Sequence, residues 1–157
     1  MTKRRSTHLE QKRHLPNDPE PATPLVGALL RFALEIVHER ILLALSRAGF
    51  ADLSYAHLKV FRYPPPDGER LSTLAARANV TKQAMNYLVG QLEDLGYLRR
   101  HDGGDSATRV ISLTDRGWAV AALQRKTVRA IERDWAARVG DERFAVFLDV
   151  LHQVAER

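Results

Sequence analysis

The chain has 157 residues, of which 45% are apolar, and it carries a formal net charge of +5 with no cysteine. This length fits one core of ordinary size, so we expect a single unit. The lack of cysteine excludes disulfides, thiolate zinc sites and thiol-based peroxide sensing. The positive charge favours a polyanionic partner without identifying it.

Residues 1–24 are basic at first and rich in proline further on. Such a segment cannot bury enough apolar surface to order itself. It also lacks the apolar stretch of a secretory signal, so we predict a cytoplasmic protein with a disordered tail. The tail is either a solvated extension or cloning remnant, or an arm that adds phosphate contacts on DNA.

From Leu25 to Leu45 the chain is dense in aliphatic residues, but charges such as Arg31 and Glu35 interrupt it. These charges argue against a membrane span. A helix that is apolar on more than one face needs cover from two sides, and a partner subunit supplies the second cover. A shorter helix is predicted from about Ser54 to Arg62, ended by the proline-rich residues 64–68.

Two helical patterns joined by a tight turn follow. The first carries an apolar stripe from Leu71 to Ala78, with Ser72 as its expected N-cap. Asn79 tolerates the left-handed backbone conformation that ends a helix. Thr81 is a natural N-cap for the second helix. This spacing is typical of a helix-turn-helix.

The second helix is predicted to bury one side and to expose the other. Its expected apolar residues are Ala84, Met85, Leu88, Leu92 and Leu95, and its expected outward residues are Thr81, Lys82, Gln83, Asn86, Tyr87 and Gln91. Lysine can contact phosphate or guanine, glutamine and asparagine can bond adenine, and a threonine methyl suits a thymine methyl. The helix alone is either an ordinary amphipathic helix or a DNA-reading helix.

The residues after this helix favour the second interpretation. The helix is predicted to end at Gly96, and residues 97–100 and 108–113 read as two strands around a glycine-rich loop. A helix-turn-helix followed by a hairpin is a winged helix, whose hairpin can reach the DNA backbone or the minor groove. Arg99, Arg100 and Arg109 are the expected phosphate contacts.

With these motifs the chain resembles the MarR family of winged-helix transcriptional regulators. The matching residues are Leu71-Ser72-Thr73-Leu74-Ala75, Thr81-Lys82-Gln83-Ala84, Leu92-Glu93, Gly96-Tyr97 and Leu113-Thr114-Asp115-Arg116-Gly117. The resemblance implies a homodimeric repressor or activator with a pocket for small aromatic or phenolic effectors. One departure is that Ser106 and Ala107 stand where the family's wing commonly has arginines. Either the other arginines take over the wing contact, or the protein relies more on its helix and tail.

After the wing, Thr114 is expected to cap a long helix that ends near Gly140, and Asp141 to cap a last one. The apolar stripe of the last helix is Phe144, Phe147, Leu148, Leu151 and Val154. We expect residues 25–48 and 118–157 to form the dimerisation region. The arginines at four-residue spacing along the long helix, Arg125, Arg129 and Arg133, read as a solvated face.

No motif supports catalysis or a cofactor. The chain has no glycine-rich phosphate loop before a lysine and no HExxH pair, and its acids show no spacing that would place two carboxylates together at a site. No metal-ligand triad surrounds His101. The resemblance implies an effector pocket, for which the candidates are His38, Tyr55, His57, Phe61 and Trp118; each can instead be a plain core residue.

The predicted fold is therefore mainly α with a small β-hairpin wing, in one unit spanning residues 25–157 with the winged helix at 52–117. The predicted function is a homodimeric repressor on a pseudo-palindromic operator in duplex DNA, released by a small aromatic effector. Two reading helices would enter successive major grooves about 34 Å apart. Base and nearby backbone contacts are assigned to Thr81, Lys82, Gln83, Asn86 and Tyr87. The alternative is a protein-interaction or small-molecule-binding module without DNA binding, which the arginine-poor wing keeps open.

Overall fold

The computed structural model describes residues 23–61, 68–102 and 109–156. In chain order its elements are α1 (Val26–Arg47), α2 (Tyr55–Phe61), β1 (Glu69–Arg70), α3 (Leu71–Arg77), α4 (Lys82–Asp94), β2 (Leu98–Asp102), β3 (Arg109–Leu113), α5 (Asp115–Val139) and α6 (Asp141–Ala155). Residues 1–22 of the predicted tail, residues 64–67 of the proline-rich break and the wing positions 103–108 lie outside the described residues. Within the described ranges, no helix is both long and apolar enough to cross a membrane.

The sheet is antiparallel and has the strand order β1-β3-β2. β2 and β3 pair from Leu98 opposite Leu113 to the strand ends at the wing, which confirms the predicted hairpin. β1 pairs with the other edge of β3, where Glu69 lies opposite Ile111. The sequence did not predict β1, because two polar residues carry no alternating pattern and form a strand only when a partner edge is present.

The turn between α3 and α4 has the predicted chemistry. Asn79 has a positive φ of 52°. The Thr81 hydroxyl accepts a hydrogen bond from the Ala84 amide at 3.1 Å, so Thr81 is the N-cap of α4. The prediction that Ser72 caps α3 is wrong. Arg70 occupies the cap position without a side-chain bond, because β1 runs straight into the helix and leaves Ser72 inside its first turn.

The last two helices meet at a glycine. The Thr114 hydroxyl accepts from the Gly117 amide at 3.2 Å and caps α5 as predicted. The prediction that Asp141 caps α6 is wrong, because Gly140, with a φ of 94°, ends α5 and occupies the cap position of α6. Asp141 instead lies in the first turn, where a negative charge interacts favourably with the helix dipole.

The buried side of α4 forms the centre of the core. Met85, Val89 and Leu92 are fully enclosed there. The prediction that Ala84 belongs to this stripe is wrong, because it lies roughly 90° around the helix from the centre of the stripe and remains exposed. The core thus packs against the apolar side of α4 and leaves its polar edge exposed to solvent.

A polar cluster at the edge of this core links three elements, and only its tyrosine is buried. The Tyr97 hydroxyl, fully buried before β2, donates to Asp52 Oδ1 at 2.5 Å. Arg116 in α5 donates to Asp52 Oδ2 at 3.0 Å and to the Tyr97 hydroxyl at 2.9 Å. Burial disfavours the charged carboxylate, but these hydrogen bonds and the Arg116 charge outweigh it and lower the pKa of Asp52.

Candidate nucleic-acid interface

The outward edge of α4 carries the residues predicted to read DNA. The structure leaves all five of them exposed: Thr81, Lys82, Gln83, Asn86 and Tyr87. Tyr87 is 67% exposed, an unusual position for an aromatic side chain with no partner covering it. A helix edge that offers cationic, amide and hydroxyl groups together has the donors and acceptors that base edges and phosphates require.

The wing side of this edge is held by Arg100. Its Nη2 donates to Asn86 Oδ1 at 3.1 Å, and its backbone amide donates to Glu93 Oε1 at 3.1 Å. Its Nε lies 2.9 Å from Glu93 Oε2 as an ion pair but lacks hydrogen-bond geometry. Arg100 is therefore half-buried against α4, where it orients Asn86 and leaves the Asn86 amide nitrogen to donate elsewhere.

The other two predicted phosphate contacts occupy different places. Arg99 Nε donates to Ser112 Oγ at 3.2 Å across the hairpin. Successive strand residues point to opposite faces, so Arg99 points away from the face on which Arg100 meets α4. Arg109 is exposed at the start of β3, at the wing end of the hairpin. The structure thus brings Arg100 to the reading edge and distributes Arg99 and Arg109 along the wing.

The opposite side of the edge is held by α2. Gln91 Nε2 donates to the Tyr87 hydroxyl at 3.2 Å, and Gln91 Oε1 lies 3.2 Å from His57 Nε2. His57 is buried, and its Nδ1 accepts from the Ser54 amide at 3.1 Å. The sequence placed His57 with the effector pocket, whereas its ring is turned towards α4.

A cavity of about 500 Å³ lies between α1, α2 and α5. Its walls are Leu34, Val37, His38, Ile41, Leu58, Phe61, Ala121, Gln124, Arg125, Val128, Arg129 and Glu132. Of the predicted pocket residues, His38 and Phe61 therefore belong to it. Tyr55 instead packs edge-on against the His38 ring, with the two ring centroids 4.4 Å apart. Trp118 lies at the base of the wing near Arg99 and Ser112.

The α5 side of this cavity was not predicted from the sequence. Gln124, Arg125, Arg129 and Glu132 contribute its polar groups. The prediction of a plain solvated face is therefore incomplete for Arg125 and Arg129, because both side chains are exposed but border the cavity. The spacing of Arg125 and Arg129 relative to Ala121 and Val128 could have predicted this arrangement, since it places all four residues on one side of α5. The cavity thus combines apolar walls with the cations of Arg125 and Arg129 and the carboxylate of Glu132, and its net positive lining suits a small aromatic anion.

Comparisons with known proteins agree with this architecture. No protein-family model matches the chain. The HTH-type transcriptional repressor Rv2887 of Mycobacterium tuberculosis is 31% identical over 115 residues, which span 73% of this chain and 81% of the relative.

Solved structures extend the comparison to the fold. Rv2887, described as a MarR family protein, superposes in its salicylic acid complex with a TM-score of 0.61 at 28% identity over 85% of this chain and 98% of that one. Its complex with DNA gives a TM-score of 0.62 at 27% identity over 85% of this chain and 100% of that one. CouR from Rhodococcus jostii, bound to p-coumaroyl-CoA, shares the fold with a TM-score of 0.65 at 21% identity over 83% and 91% of the two chains.

Proposed function

The chain belongs to the MarR family of winged-helix transcriptional regulators, and from that premise we propose that it is a cytoplasmic homodimeric repressor that binds a pseudo-palindromic operator in duplex DNA. The observation that carries the proposal is the exposed polar edge of α4, held on one side by Arg100 and on the other by Gln91. An edge held in this way is organised before DNA arrives, which reduces the entropy cost of binding.

The proposed contacts divide into two kinds. Gln83 and Asn86 supply amide groups for base edges, and Thr81 supplies a methyl group. Lys82, Arg99 and Arg109 are the cations proposed for phosphates, which set position and overall affinity. Arg100 is proposed to act on the backbone while it orients Asn86. The DNA complex of Rv2887 and the net charge of +5 support this assignment.

The proposed dimer rests on uncovered apolar surface at both ends of the chain. The exposed large apolar residues of these regions are Leu25, Val26, Leu29, Leu30, Phe32, Leu34, Ile36 and Leu43 near the start, and Val139, Val146, Phe147, Val150 and Val154 near the end. A monomer rarely leaves so many large apolar side chains of two terminal regions in water. A second copy covers these helices and sets two reading edges about one duplex turn apart.

We also propose that a small aromatic anion in the cavity releases the DNA. Arg125 and Arg129 would hold its carboxylate, while Phe61 and Leu58 would cover its ring. The salicylic acid complex of Rv2887 supports this chemistry. Such a ligand lowers DNA occupancy only if it binds the DNA-free arrangement more tightly than the DNA-bound one.

The test is a fluorescence anisotropy titration of the promoter duplex upstream of the protein's own gene, at several salt concentrations, with and without salicylate. We expect log affinity to fall by about 0.9 per neutralised phosphate for each decade of salt, and salicylate to weaken binding. Gln83→Ala should reduce the preference for the operator over random duplex, whereas Arg109→Ala should weaken both alike.

Two results would contradict the proposal. One is the absence of duplex binding even at low salt, and the other is binding that does not respond to salt. Salicylate binding without any duplex binding would instead support the small-molecule-binding module.

A further inference from the structure

A chain of hydrogen bonds leads from the start of α2 to the exposed aromatic side chain of α4. It begins at the Ser54 amide, passes through His57 and Gln91, and ends at the Tyr87 hydroxyl. We propose that this chain fixes the Tyr87 hydroxyl as a hydrogen-bond donor to operator DNA, which makes His57 and Gln91 positioning residues for recognition. The inference rests on the proposed function and adds residues to it.

The direction of the chain follows from its first bond. A backbone amide can only donate, so His57 Nδ1 must accept from Ser54 and cannot carry a proton in this arrangement. The neutral ring therefore carries its proton on Nε2, which donates to Gln91 Oε1. Because His57 is 6% exposed, its ring is fixed by packing and does not turn freely in solvent.

The same direction continues into α4. With its oxygen accepting from His57, the Gln91 amide presents its NH₂ group to the Tyr87 oxygen, 3.2 Å away. The Tyr87 oxygen is then an acceptor towards Gln91, and its own proton is directed to another partner. Phosphate oxygens, purine N7 and the carbonyl oxygens of guanine and thymine are acceptors of the required kind.

Solvent determines when this arrangement matters. In water, an exposed hydrogen bond between Gln91 and Tyr87 contributes little, because water competes for both groups. When DNA covers α4, the water is displaced and the chain that already orients the hydroxyl strengthens. An unpositioned tyrosine would have to lose its rotational freedom at that moment.

A purely structural role for His57 is the competing explanation, since the bond from Ser54 satisfies an amide at the start of α2. Two conservative variants separate the two roles. In His57→Asn the short amide can replace the Nδ1 acceptor for Ser54 but does not reach Gln91. In His57→Gln the longer amide reaches the position of Nε2 and can still donate to Gln91.

The experiment measures operator affinity and thermal unfolding for the full-length wild-type protein, both His57 variants, Tyr87→Phe and the double variant His57→Asn/Tyr87→Phe. We expect Tyr87→Phe to weaken binding about tenfold, the scale of one hydrogen bond to a charged group. His57→Asn should lose a similar factor, whereas His57→Gln should stay within about twofold of wild type. The double variant should lose no more than about twice what Tyr87→Phe loses alone, because both changes remove one interaction.

Losses that multiply in the double variant would overturn the proposal, as would an unchanged affinity in His57→Asn. If operator affinity falls in His57→Gln but not in His57→Asn, His57 acts only through its bond to the Ser54 amide at the start of α2. If His57→Asn does not fold, Gln91→Leu interrupts the chain on α4 itself, and an unchanged affinity there refutes the proposal equally. If the wild-type protein binds no duplex, the proposed function itself is refuted. That outcome is distinct from wild-type binding that does not depend on the His57–Gln91–Tyr87 chain.

Discussion

At the scale of single residues, two glycines in neighbouring helices show how differently the structure uses the missing side chain. A Cβ atom built on Gly117 would collide with the carbonyl oxygen of Tyr97 and lie 3.1 Å from a Leu113 methyl group. Nothing lies within 4 Å of a Cβ atom built on Gly90. The first glycine therefore permits the contact between α5 and the start of the hairpin, whereas the second has no steric reason to be glycine.

We expect Gly117→Ala to lower the free energy of unfolding by about 1–3 kcal/mol, because the backbone must shift to admit the methyl group. The matched variant Gly90→Ala should raise it by about 0.5–1 kcal/mol through the greater helix propensity of alanine. Urea unfolding at one fixed protein concentration measures both. An unchanged free energy of unfolding in Gly117→Ala would show that the contact between α5 and Tyr97 relaxes without cost.

At the scale of elements, the cluster of Asp52, Tyr97 and Arg116 joins the loop before α2, the start of the hairpin and α5. Burial raises the pKa of Tyr97, and its bond to Asp52 raises it further, so the hydroxyl stays protonated and keeps donating. Because the pKa of Asp52 lies below its ordinary value of 3.8, the folded state holds this proton less tightly than the unfolded state. Its stabilisation is present above that value and is lost as pH falls through the lowered pKa.

Removal of the Tyr97 hydroxyl should therefore act in a pH-dependent way. We expect Tyr97→Phe to cost about 1–2 kcal/mol near neutral pH, and the difference from wild type to shrink as the pH falls below 3.8 and through the lowered pKa of Asp52. Urea unfolding across that range is the measurement. Tyr55→Phe, at a half-exposed tyrosine, is the control and should stay within about 0.5 kcal/mol throughout. A constant difference at all pH values would mean that Tyr97 and Asp52 are not coupled.

At the same scale, the sequence predicted elements with strong local signals and missed those that depend on a neighbour. The turn at Asn79 and the caps at Thr81 and Thr114 follow from side chains that bond their own backbone. The start of α3 could not be predicted in this way. Pairing of β1 with β3 sets that start, and β3 lies far along the chain.

At the scale of the whole molecule, the uncovered apolar face of α1 leads to a prediction about assembly. Leu29 is 49% exposed on this face. We expect Leu29→Glu to convert the proposed dimer to monomer, because a buried unpaired carboxylate is costly at an apolar interface. Affinity for a duplex with both half-sites should then fall by roughly a hundredfold or more, because each monomer engages one half-site alone.

Sedimentation velocity and anisotropy on the same samples test both parts of this prediction. Leu29→Met is the matched control, since it retains apolar surface of similar volume and should remain dimeric. A Leu29→Glu protein that remains fully dimeric would place the interface elsewhere. A monomer that keeps the wild-type affinity would refute recognition by paired reading edges.

The sequence alone determined the order of the helices, the turn before α4, the hairpin and the polar composition of the reading edge, because periodicity and capping are written in adjacent residues. The packing of the helices sets which partner each side chain on a helix faces. On α2, His57 turns towards Gln91 while Leu58 and Phe61 face the cavity. On α5, Arg125 and Arg129 reach the same cavity only because α1 and α2 pack beside them. Side-chain spacing specifies a face, but the relative placement of whole helices specifies what lies opposite that face.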